Sequence, residues 1–280
     1  MCVIALKKRK VQIDIKTLDL MFEQNPDGAG FALIQDKKVT ISKGYFNVDS
    51  LWTDIKHMQK ERLVLHFRIA TSGGINVPMC HPFIVDSNLK LATSIYEETE
   101  KPVLFHNGMI SNFGSTKISD TCDFAINALA HIPTLEAQLQ ILKLANTKFI
   151  FIRDGTVYKI GTFYKYKGLS VSNDHFVPRP VATKPTSKFS NAPANTLGFG
   201  RNHVSTNEDL HDALKNLDGI ADNAMSEQEY ADALDSLDGY EDYFYEEGKL
   251  VKKPEPIFDS ASGCYYEYDH EFDTYNKKCR

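Results

Sequence analysis

The sequence lacks the segments that would carry a protein into or across a membrane. Its apolar runs are short, such as residues 148–152, whereas a membrane-spanning helix needs roughly 20 apolar residues. In residues 1–10 the apolar stretch precedes the basic one, and a secretory signal has the basic residues first. These absences predict a cytosolic protein that does not interact with a membrane.

The sequence also lacks the patterns of disulfide-rich, metal-binding and nucleotide-binding proteins. Its five cysteines are odd in number and include no Cys-x-x-Cys pair, and its nine histidines include no His-x-x-x-His pair. No glycine-rich loop of the ATP-binding or dinucleotide-binding type occurs. We therefore expect no disulfide framework, no metal site and no cofactor.

Acidic and basic residues are nearly balanced in number but not in position. The net charge is −5, yet residues 206–248 hold fourteen acidic residues against one basic residue, Lys215. Residues 1–205 are basic on balance. A basic body suits a phosphorylated or nucleic-acid acceptor, and it equally suits a role in holding the acidic stretch.

The acidic stretch contains an internal repeat. Residues 212–219 and 232–239 share Asp-Ala-Leu followed by Leu-Asp-Gly, and each copy carries apolar residues at helical spacing. Glycine closes each copy, as it closes many helices. The pattern predicts two short amphipathic helices. Neither is long enough to be stable alone, so they pack either against their own domain or onto a separate partner.

Composition divides the chain into four parts. Residues 1–175 are rich in predicted strands, residues 176–205 form a Pro-rich linker, residues 206–248 form the acidic helical pair, and residues 249–280 form a Tyr-rich flexible tail. In the first part strands outnumber helices and cluster at both ends. This favours antiparallel sheets covered by helices, an α+β layered fold.

Local patterns predict the elements of the first part. Runs rich in Val, Ile and Phe predict strands at 2–6, 30–35, 38–43, 63–71, 103–106, 149–153 and 157–162. Helical spacing covers 48–60 and 120–141, with Ser119 as a helix cap. The dipeptide Asp154-Gly155 predicts a hairpin turn between the last two strands.

Cys2 is the first candidate for a chemical role. An initiator Met before a small residue is commonly removed, which would make Cys2 the N-terminal residue. Its thiol and its α-amine would then lie on one residue. The amine has an ordinary pKa of about 7.7–8.0 and can accept a proton near neutral pH. If Met1 is retained, the amine base is blocked and catalysis fails.

Further segments follow Cys2 in a fixed order. They are a Gly-rich turn at 25–31, His-Phe-Arg-Ile-Ala-Thr-Ser-Gly-Gly at 66–74, His-Pro-Phe at 81–83, an Asn-Gly pair within 105–112, Ser-Asp-Thr at 119–121 and Ser-Asn-Asp at 172–174. In this order behind an N-terminal Cys, they resemble the class II glutamine amidotransferases. These proteins are N-terminal-nucleophile hydrolases with a four-layer αββα sandwich. The resemblance covers residues 2 to about 175.

The resemblance implies a nucleophile and an oxyanion hole. Cys2 would attack the side-chain amide carbon of glutamine while its own amine takes the proton. The side-chain N–H of Asn107 and the backbone N–H of Gly108 would stabilise the oxyanion. Without the resemblance, Asn107-Gly108 is an ordinary turn dipeptide.

The resemblance also implies a pocket for the zwitterionic end of glutamine. Arg68 would bind the α-carboxylate, for which a guanidinium fork is suited, and Asp120 would accept the α-ammonium. Thr71 joins these two as a substrate-binding residue. Taken alone, Arg68 is a strand charge and Asp120 a helix-start acid. The segment before His81 departs from the family, since Asn76 is followed there by Val-Pro-Met-Cys.

The predicted function is a glutaminase that releases glutamate and ammonia through a γ-glutamyl thioester on Cys2. It would supply ammonia to a separate synthase or hydrolyse a γ-glutamyl compound by itself. Two alternatives stay open. One is a catalytically silent relative whose acidic arm, residues 206–248, binds a basic partner or mimics nucleic acid. The other is a hydrolase of plain amides, against which Arg68 and Asp120 argue because a plain amide needs neither.

The remaining histidines and cysteines receive structural interpretations. His66 and His106 are expected to be core histidines with hydrogen-bond partners. Cys80 and Cys122 are expected to be small apolar side chains that fill the core.

Overall fold

The computed structural model describes residues 2–178 and the backbone of five strands between residues 243 and 279. The first of these parts is an α+β fold with two antiparallel sheets and a few helices. Its strands are β1 (Val3–Lys7), β2 (Ala29–Gln35), β3 (Lys38–Tyr45), β4 (Arg62–Phe67), β5 (Phe83–Ile84), β6 (Tyr96–Thr99), β7 (Val103–Asn107), β8 (Lys148–Arg153), β9 (Thr156–Ile160), β10 (Tyr164–Tyr166) and β11 (Leu169–Val171). Its α-helices are α1 (Ile15–Gln24), α2 (Val48–Ile55), α3 (Leu89–Ala92), α4 (Asp120–Asn127) and α5 (Leu135–Leu144).

The two sheets differ in size and share one hydrophobic core. The larger sheet has the order β10-β11-β1-β4-β2-β3-β6, and the smaller has the order β5-β7-β8-β9. One buried cluster joins Ile4 and Val64 of the larger sheet to Phe105 and Ile150 of the smaller sheet. The facing sides of the sheets therefore pack directly against each other, a principal source of stability for such a fold.

Each sheet also buries its other side. Leu18 of α1 and Leu51 of α2 belong to a cluster with residues of β1 and β4. Phe124 of α4 and Leu142 of α5 belong to a third cluster with residues of β7 and β8, such as Phe149. Because both faces of the central strands are covered, β1 and β7 are buried along their whole length. This explains why their sequences are continuous apolar runs rather than alternating ones.

The predicted strands are present in the structure, with ends that differ by a few residues. The largest difference is in the strand predicted at 63–71, which ends at Phe67. The hairpin prediction is confirmed: Asp154 and Gly155 both have positive φ, 52° and 69°, as a tight hairpin turn requires. Ser119 caps α4 as predicted, because its side chain accepts a hydrogen bond from the N–H of Cys122.

The single helix predicted at 120–141 is wrong. Helix α4 ends at Asn127, a short 3₁₀ turn covers Leu129–His131, and α5 begins after Thr134. Pro133 prevents one helix from running through this segment, since it cannot donate the backbone hydrogen bond that a continuing helix needs, although α4 has already ended at Asn127. The predicted helix at 48–60 is likewise shorter, ending at Ile55 with a 3₁₀ turn after it.

The C-terminal part of the chain is described at five strands. β12 (Tyr243–Glu246) pairs with β13 (Lys249–Lys252), and β14 (Ile257–Asp259), β15 (Cys264–Asp269) and β16 (Thr274–Cys279) form an antiparallel three-stranded sheet. The sequence predicted a flexible tail at 249–280. The strands β13 to β16 lie within this range, and tyrosine, which is frequent there, favours strands.

Most of the predicted linker and both predicted acidic helices lie in a part of the chain that the structure does not describe. Residues 179–242, with most of the linker and both acidic repeats, lie outside the described residues. At the start of the linker, Phe176 is buried and its ring packs edge-on against Tyr166, with 5.1 Å between centroids. In the described part of the chain, no helix has the length and apolar character to cross a bilayer.

Candidate active site

Cys2 lies at the edge of the larger sheet, immediately before β1. Val3 pairs with Phe67 of β4, so the adjacent residues Cys2 and Arg68 lie side by side. The N–H of Ile69 donates to the Cys2 Sγ at 3.3 Å, and the Cys2 carbonyl accepts from the Asn173 side chain at 2.6 Å. Both contacts fix the residue at the end of its strand.

Cys2 is half-buried, and the hydrogen-bond partners of its thiol are the backbone groups of Ile69. Burial raises the pKa of the Cys2 thiol, and the Ile69 N–H and the Arg68 charge oppose that rise. Because the thiolate is the nucleophile, this thiol needs a nearby base to remove its proton at neutral pH.

The glycine-rich turn holds the segment after β4 against Cys2. The N–H of Arg68 donates to the carbonyl of Gly28 at 2.8 Å, and the carboxylate of Asp27 accepts from the N–H of Ala70 at 2.8 Å. At Gly28, with φ of +111°, an added Cβ would lie 2.5 Å from the Sγ of Cys80. Only glycine fits there, which accounts for its place in the turn.

Arg68 is almost fully buried, and its guanidinium holds a neighbouring loop. Nη1 donates to the carbonyl of Gly74 at 2.6 Å and Nη2 donates to the carbonyl of Ser72 at 2.7 Å. These bonds use two of the five N–H groups of the guanidinium, so three remain for a ligand.

Asp120 begins α4, and backbone groups orient its carboxylate. Oδ2 accepts from the N–H of Ile110 at 2.8 Å, and Oδ1 accepts from the N–H of Thr121 at 2.7 Å. Burial raises the pKa of Asp120, and the hydrogen bonds from Ile110 and Thr121 oppose that rise. The carboxylate is therefore fixed in position beside the cavity and keeps lone pairs that can accept from a cation.

Asn107 and Gly108 end the strand β7. The Asn107 Nδ2 donates to the Ser172 Oγ at 2.8 Å, and that oxygen also accepts from the N–H of Ile4 at 2.9 Å. The Asn107 Oδ1 is buried without a hydrogen-bond partner. At Gly108 an added Cβ would lie 1.8 Å from the Thr147 Oγ1, so no side chain fits at this position.

One cavity gathers most of the predicted residues. Its lining residues are Cys2, Arg68, Ile69, Thr71, Ser72, His81, His106, Gly108, Ser119, Asp120 and Thr121. Five of the six predicted site residues are among them. The sixth, Asn107, is not, because its amide is directed to Ser172. The cavity volume is about 20 Å³, room for about one water molecule.

Sequence analysis missed His81 as part of this cavity. The His81 ring stacks on His66 with 3.9 Å between centroids, and both of its nitrogens are buried without partners. Burial lowers the pKa of His81 well below its usual range, so the ring is neutral. The His-Pro-Phe segment was the available signal, although its sequence does not show that the ring faces the cavity.

His106 agrees with its predicted structural role, and His66 does so in part. Both His106 nitrogens contact threonine hydroxyls, Thr121 at 2.8 Å and Thr147 at 3.2 Å. His66 Nε2 contacts the carbonyl of His106 at 2.9 Å, but its Nδ1 has no partner. Burial lowers the pKa of His66 and of His106 to about 3. Neither ring carries charge at neutral pH.

The two cysteines predicted to fill the core are buried and free. Burial raises the pKa of Cys122 to about 12 and also raises the pKa of Cys80, so neither is an activated thiol. Within the described residues no group of three or more His, Cys, Asp or Glu side chains is arranged to hold a metal ion.

Comparison of the chain with models of protein families finds no match, and comparison with curated proteins finds none.

Proposed function

We propose that residues 2–178 form a class II glutaminase that hydrolyses the side-chain amide of glutamine to glutamate and ammonia. The observation that carries the proposal is that Cys2, Arg68, Gly108 and Asp120 line one cavity, although they come from separate segments of the chain. A thiol nucleophile, a cationic group, an anionic group and a backbone N–H donor in one cavity are the parts that an acyl-transfer site needs.

The arrangement of the hydrophobic cores supports the same proposal. One cluster lies between the two sheets, and each of the other two joins helices to the outer side of one sheet. A four-layer αββα sandwich of the N-terminal-nucleophile type requires this succession of helix, sheet, sheet and helix.

The first chemical step uses both functional groups of Cys2. With Met1 removed, the α-amine takes the thiol proton, and the sulfur bonds to the amide carbon of glutamine. The carbonyl oxygen becomes an oxyanion, which the backbone N–H of Gly108 and the side-chain N–H of Asn107 stabilise. In this proposal the Asn107 amide turns from Ser172 towards the oxyanion.

The second step releases ammonia. The ammonium group formed on Cys2 returns its proton to the leaving nitrogen, the carbon–nitrogen bond breaks, and a γ-glutamyl thioester remains on the sulfur. Water then attacks the thioester, and its hydrolysis gives glutamate and restores the thiol. We propose that a separate synthase uses the ammonia.

Arg68 and Asp120 select free glutamine over other amides. The three unused N–H groups of Arg68 match the α-carboxylate, and Asp120 accepts from the α-ammonium. The cavity is smaller than glutamine. Substrate binding therefore requires the cavity to widen, and in this proposal the loop at 72–74 moves outward while the unused N–H groups of Arg68 bind the α-carboxylate.

The proposal is tested by the mass of the purified chain together with glutamate release from glutamine. We expect a mass without Met1 and turnover that Cys2→Ala abolishes. Cys279→Ala is the matched control, since it removes a thiol from a distant part of the sequence, and it should retain full activity. A retained Met1 with no turnover, or turnover that survives Cys2→Ala, contradicts the proposal.

A further inference from the structure

A second cavity lies at the end of β1 opposite to Cys2. Its volume is about 330 Å³, and its lining residues are Arg9, Ile34, Asp36, Arg62 and Gly155. Cys2 precedes the first residue of β1 and Arg9 follows its last by two, so the strand's five residues separate the two cavities by roughly 17 Å or more. The two cavities share no lining residue.

Two hairpin turns in contact form the frame of this cavity. Asp36 lies in the turn between β2 and β3, and Gly155 lies in the turn between β8 and β9. An added Cβ on Gly155 would lie 1.7 Å from the carbonyl oxygen of Asp36, so the two sheets approach closely here. Nη2 of Arg62 donates to the carbonyl of Gly155, which ties β4 of the larger sheet to the same turn.

The cavity is lined by two positive side chains, Arg9 and Arg62, and by one negative side chain, Asp36. Burial lowers the pKa of Arg62, and the positive charge of Arg9 lowers it further. Among residues 2–178 no carboxylate lies within ion-pair distance of Arg9 or Arg62. Two like charges held beside each other favour an anion between them.

We propose that this cavity binds a phosphate monoester of a hydroxylated small molecule. Two guanidinium groups suit a phosphate, since each can donate two parallel hydrogen bonds to its oxygens. The volume falls within the usual range of small-molecule sites, about 300–1,000 Å³. Asp36 would repel a bare anion, but its carboxylate accepts a hydrogen bond from a hydroxyl group on the same ligand.

This assignment does not depend on the glutaminase. It rests on charge and geometry at the other end of the body, and binding is measured without turnover. The Cys2→Ala variant should therefore bind the ligand as the wild type does, whatever its activity on glutamine. A failure of one proposal is distinguishable from a failure of the other.

Calorimetric titration of the full chain tests the proposal, with ribose 5-phosphate and inorganic phosphate as probes. We expect saturable binding of ribose 5-phosphate and weaker binding of inorganic phosphate. Arg9→Gln should weaken the binding of ribose 5-phosphate at least tenfold. Lys10→Gln, which removes the same charge from the neighbouring exposed residue, should change it less than twofold.

Arg62→Gln provides the second test, and Arg62→Lys controls for folding because it keeps the positive charge. We expect Arg62→Lys to bind more tightly than Arg62→Gln at equal thermal stability. Absence of saturable binding to the wild type overturns the proposal. Equal losses in Arg9→Gln and Lys10→Gln also overturn it, because they indicate a diffuse attraction rather than a site.

Discussion

The site residues at the two ends of strand β1 differ in their exposure and in their hydrogen-bond partners. At the Cys2 end, Arg68 is 2% exposed and donates to two backbone carbonyls, and Asp120 is 8% exposed and accepts from two backbone N–H groups. At the Arg9 end, Arg9 is exposed and pairs with no carboxylate of the described body. The difference teaches that backbone groups already hold the charged side chains at the first end, whereas the second end holds a charge that a ligand can neutralise.

Two buried lysines show the reverse arrangement on the scale of single residues. Lys7, at the Arg9 end, donates to the carbonyls of Met58, Gln59 and Glu61. Lys43, towards the Cys2 end, donates to the carbonyl of Pro82 at 3.1 Å. Both side chains are fully buried, but only Lys7 has three oxygen partners for its three N–H groups.

The largest expected effect concerns the site around Cys2. Asn107→Ala should lower kcat for glutamine by about 10²–10³, because it removes one proposed oxyanion donor. Steady-state glutamate release measures the effect. Ser172→Ala is the control, since it removes the acceptor of the Asn107 amide but leaves the amide in place, and it should lose much less activity. Activity of Asn107→Ala within threefold of wild type would refute the role of this donor.

The second effect concerns affinity at the same end. Arg68→Gln should raise KM for glutamine roughly a hundredfold, as expected for lost hydrogen bonds to a charged carboxylate. Arg153→Gln is the control. It removes the hydrogen bond from Arg153 to the Gln138 side chain, and neither residue lines the cavity, so KM should stay unchanged. Initial rates over a range of glutamine concentrations separate KM from kcat. An unchanged KM in Arg68→Gln would show that the substrate is not a free α-amino acid.

The elements that the sequence predicts best are those marked by a local pattern of residues. β7 and β8 were predicted because continuous Val, Ile and Phe runs report burial on both faces. Helix α1 was missed although its signal is present in the sequence: Asp14 caps it, and Leu18, Met21 and Phe22 have helical spacing. The prediction of one helix at 120–141 failed because the helical spacing continued past Pro133 while the backbone could not.

The same limit applies to the candidate site. Cys2, Arg68 and Asp120 were predicted because the ordered segments that contain them resemble the class II glutamine amidotransferases. Taken singly, none of the three carries a local pattern that marks a site residue. The direction of the Asn107 amide was not predicted, because it depends on Ser172, 65 residues further along the chain. The place of His81 depends similarly on Gly30, where an added Cβ would lie 2.2 Å from the His81 carbonyl oxygen. Contacts between residues so far apart in the chain leave no local pattern in the sequence.

The third prediction tests the two lysines. Burial lowers the pKa of Lys43 to about 8, so between pH 8 and its ordinary pKa of about 10.4 the unfolded chain binds more protons than the folded one. Wild-type stability due to this group therefore rises with pH across that window. At pH 7, Lys43→Met should increase the free energy of unfolding by about 2 kcal/mol, and the gain should disappear near pH 10.5.

Lys7→Met provides the opposite case. It leaves three carbonyl oxygens without their common donor and should lower the free energy of unfolding by about 1–2 kcal/mol. Urea unfolding at several pH values measures both variants. If Lys43→Met destabilises the protein as much as Lys7→Met does, then the number of carbonyl partners is not what distinguishes the two lysines.

The smallest effects are expected where charges are exposed. Lys38 and Glu98 form an ion pair at 2.6 Å, yet their side chains are 59% and 54% exposed. Because water screens such a pair, Lys38→Gln should change the free energy of unfolding far less than Lys7→Met does. Arg9→Gln, which breaks no ion pair within the described body, should change it by less than about 0.5 kcal/mol. Urea unfolding at pH 7 measures both. A larger loss in Arg9→Gln would mean that Arg9 contributes to the fold itself, and the two ends of β1 would then differ in exposure but not in the role of their arginines.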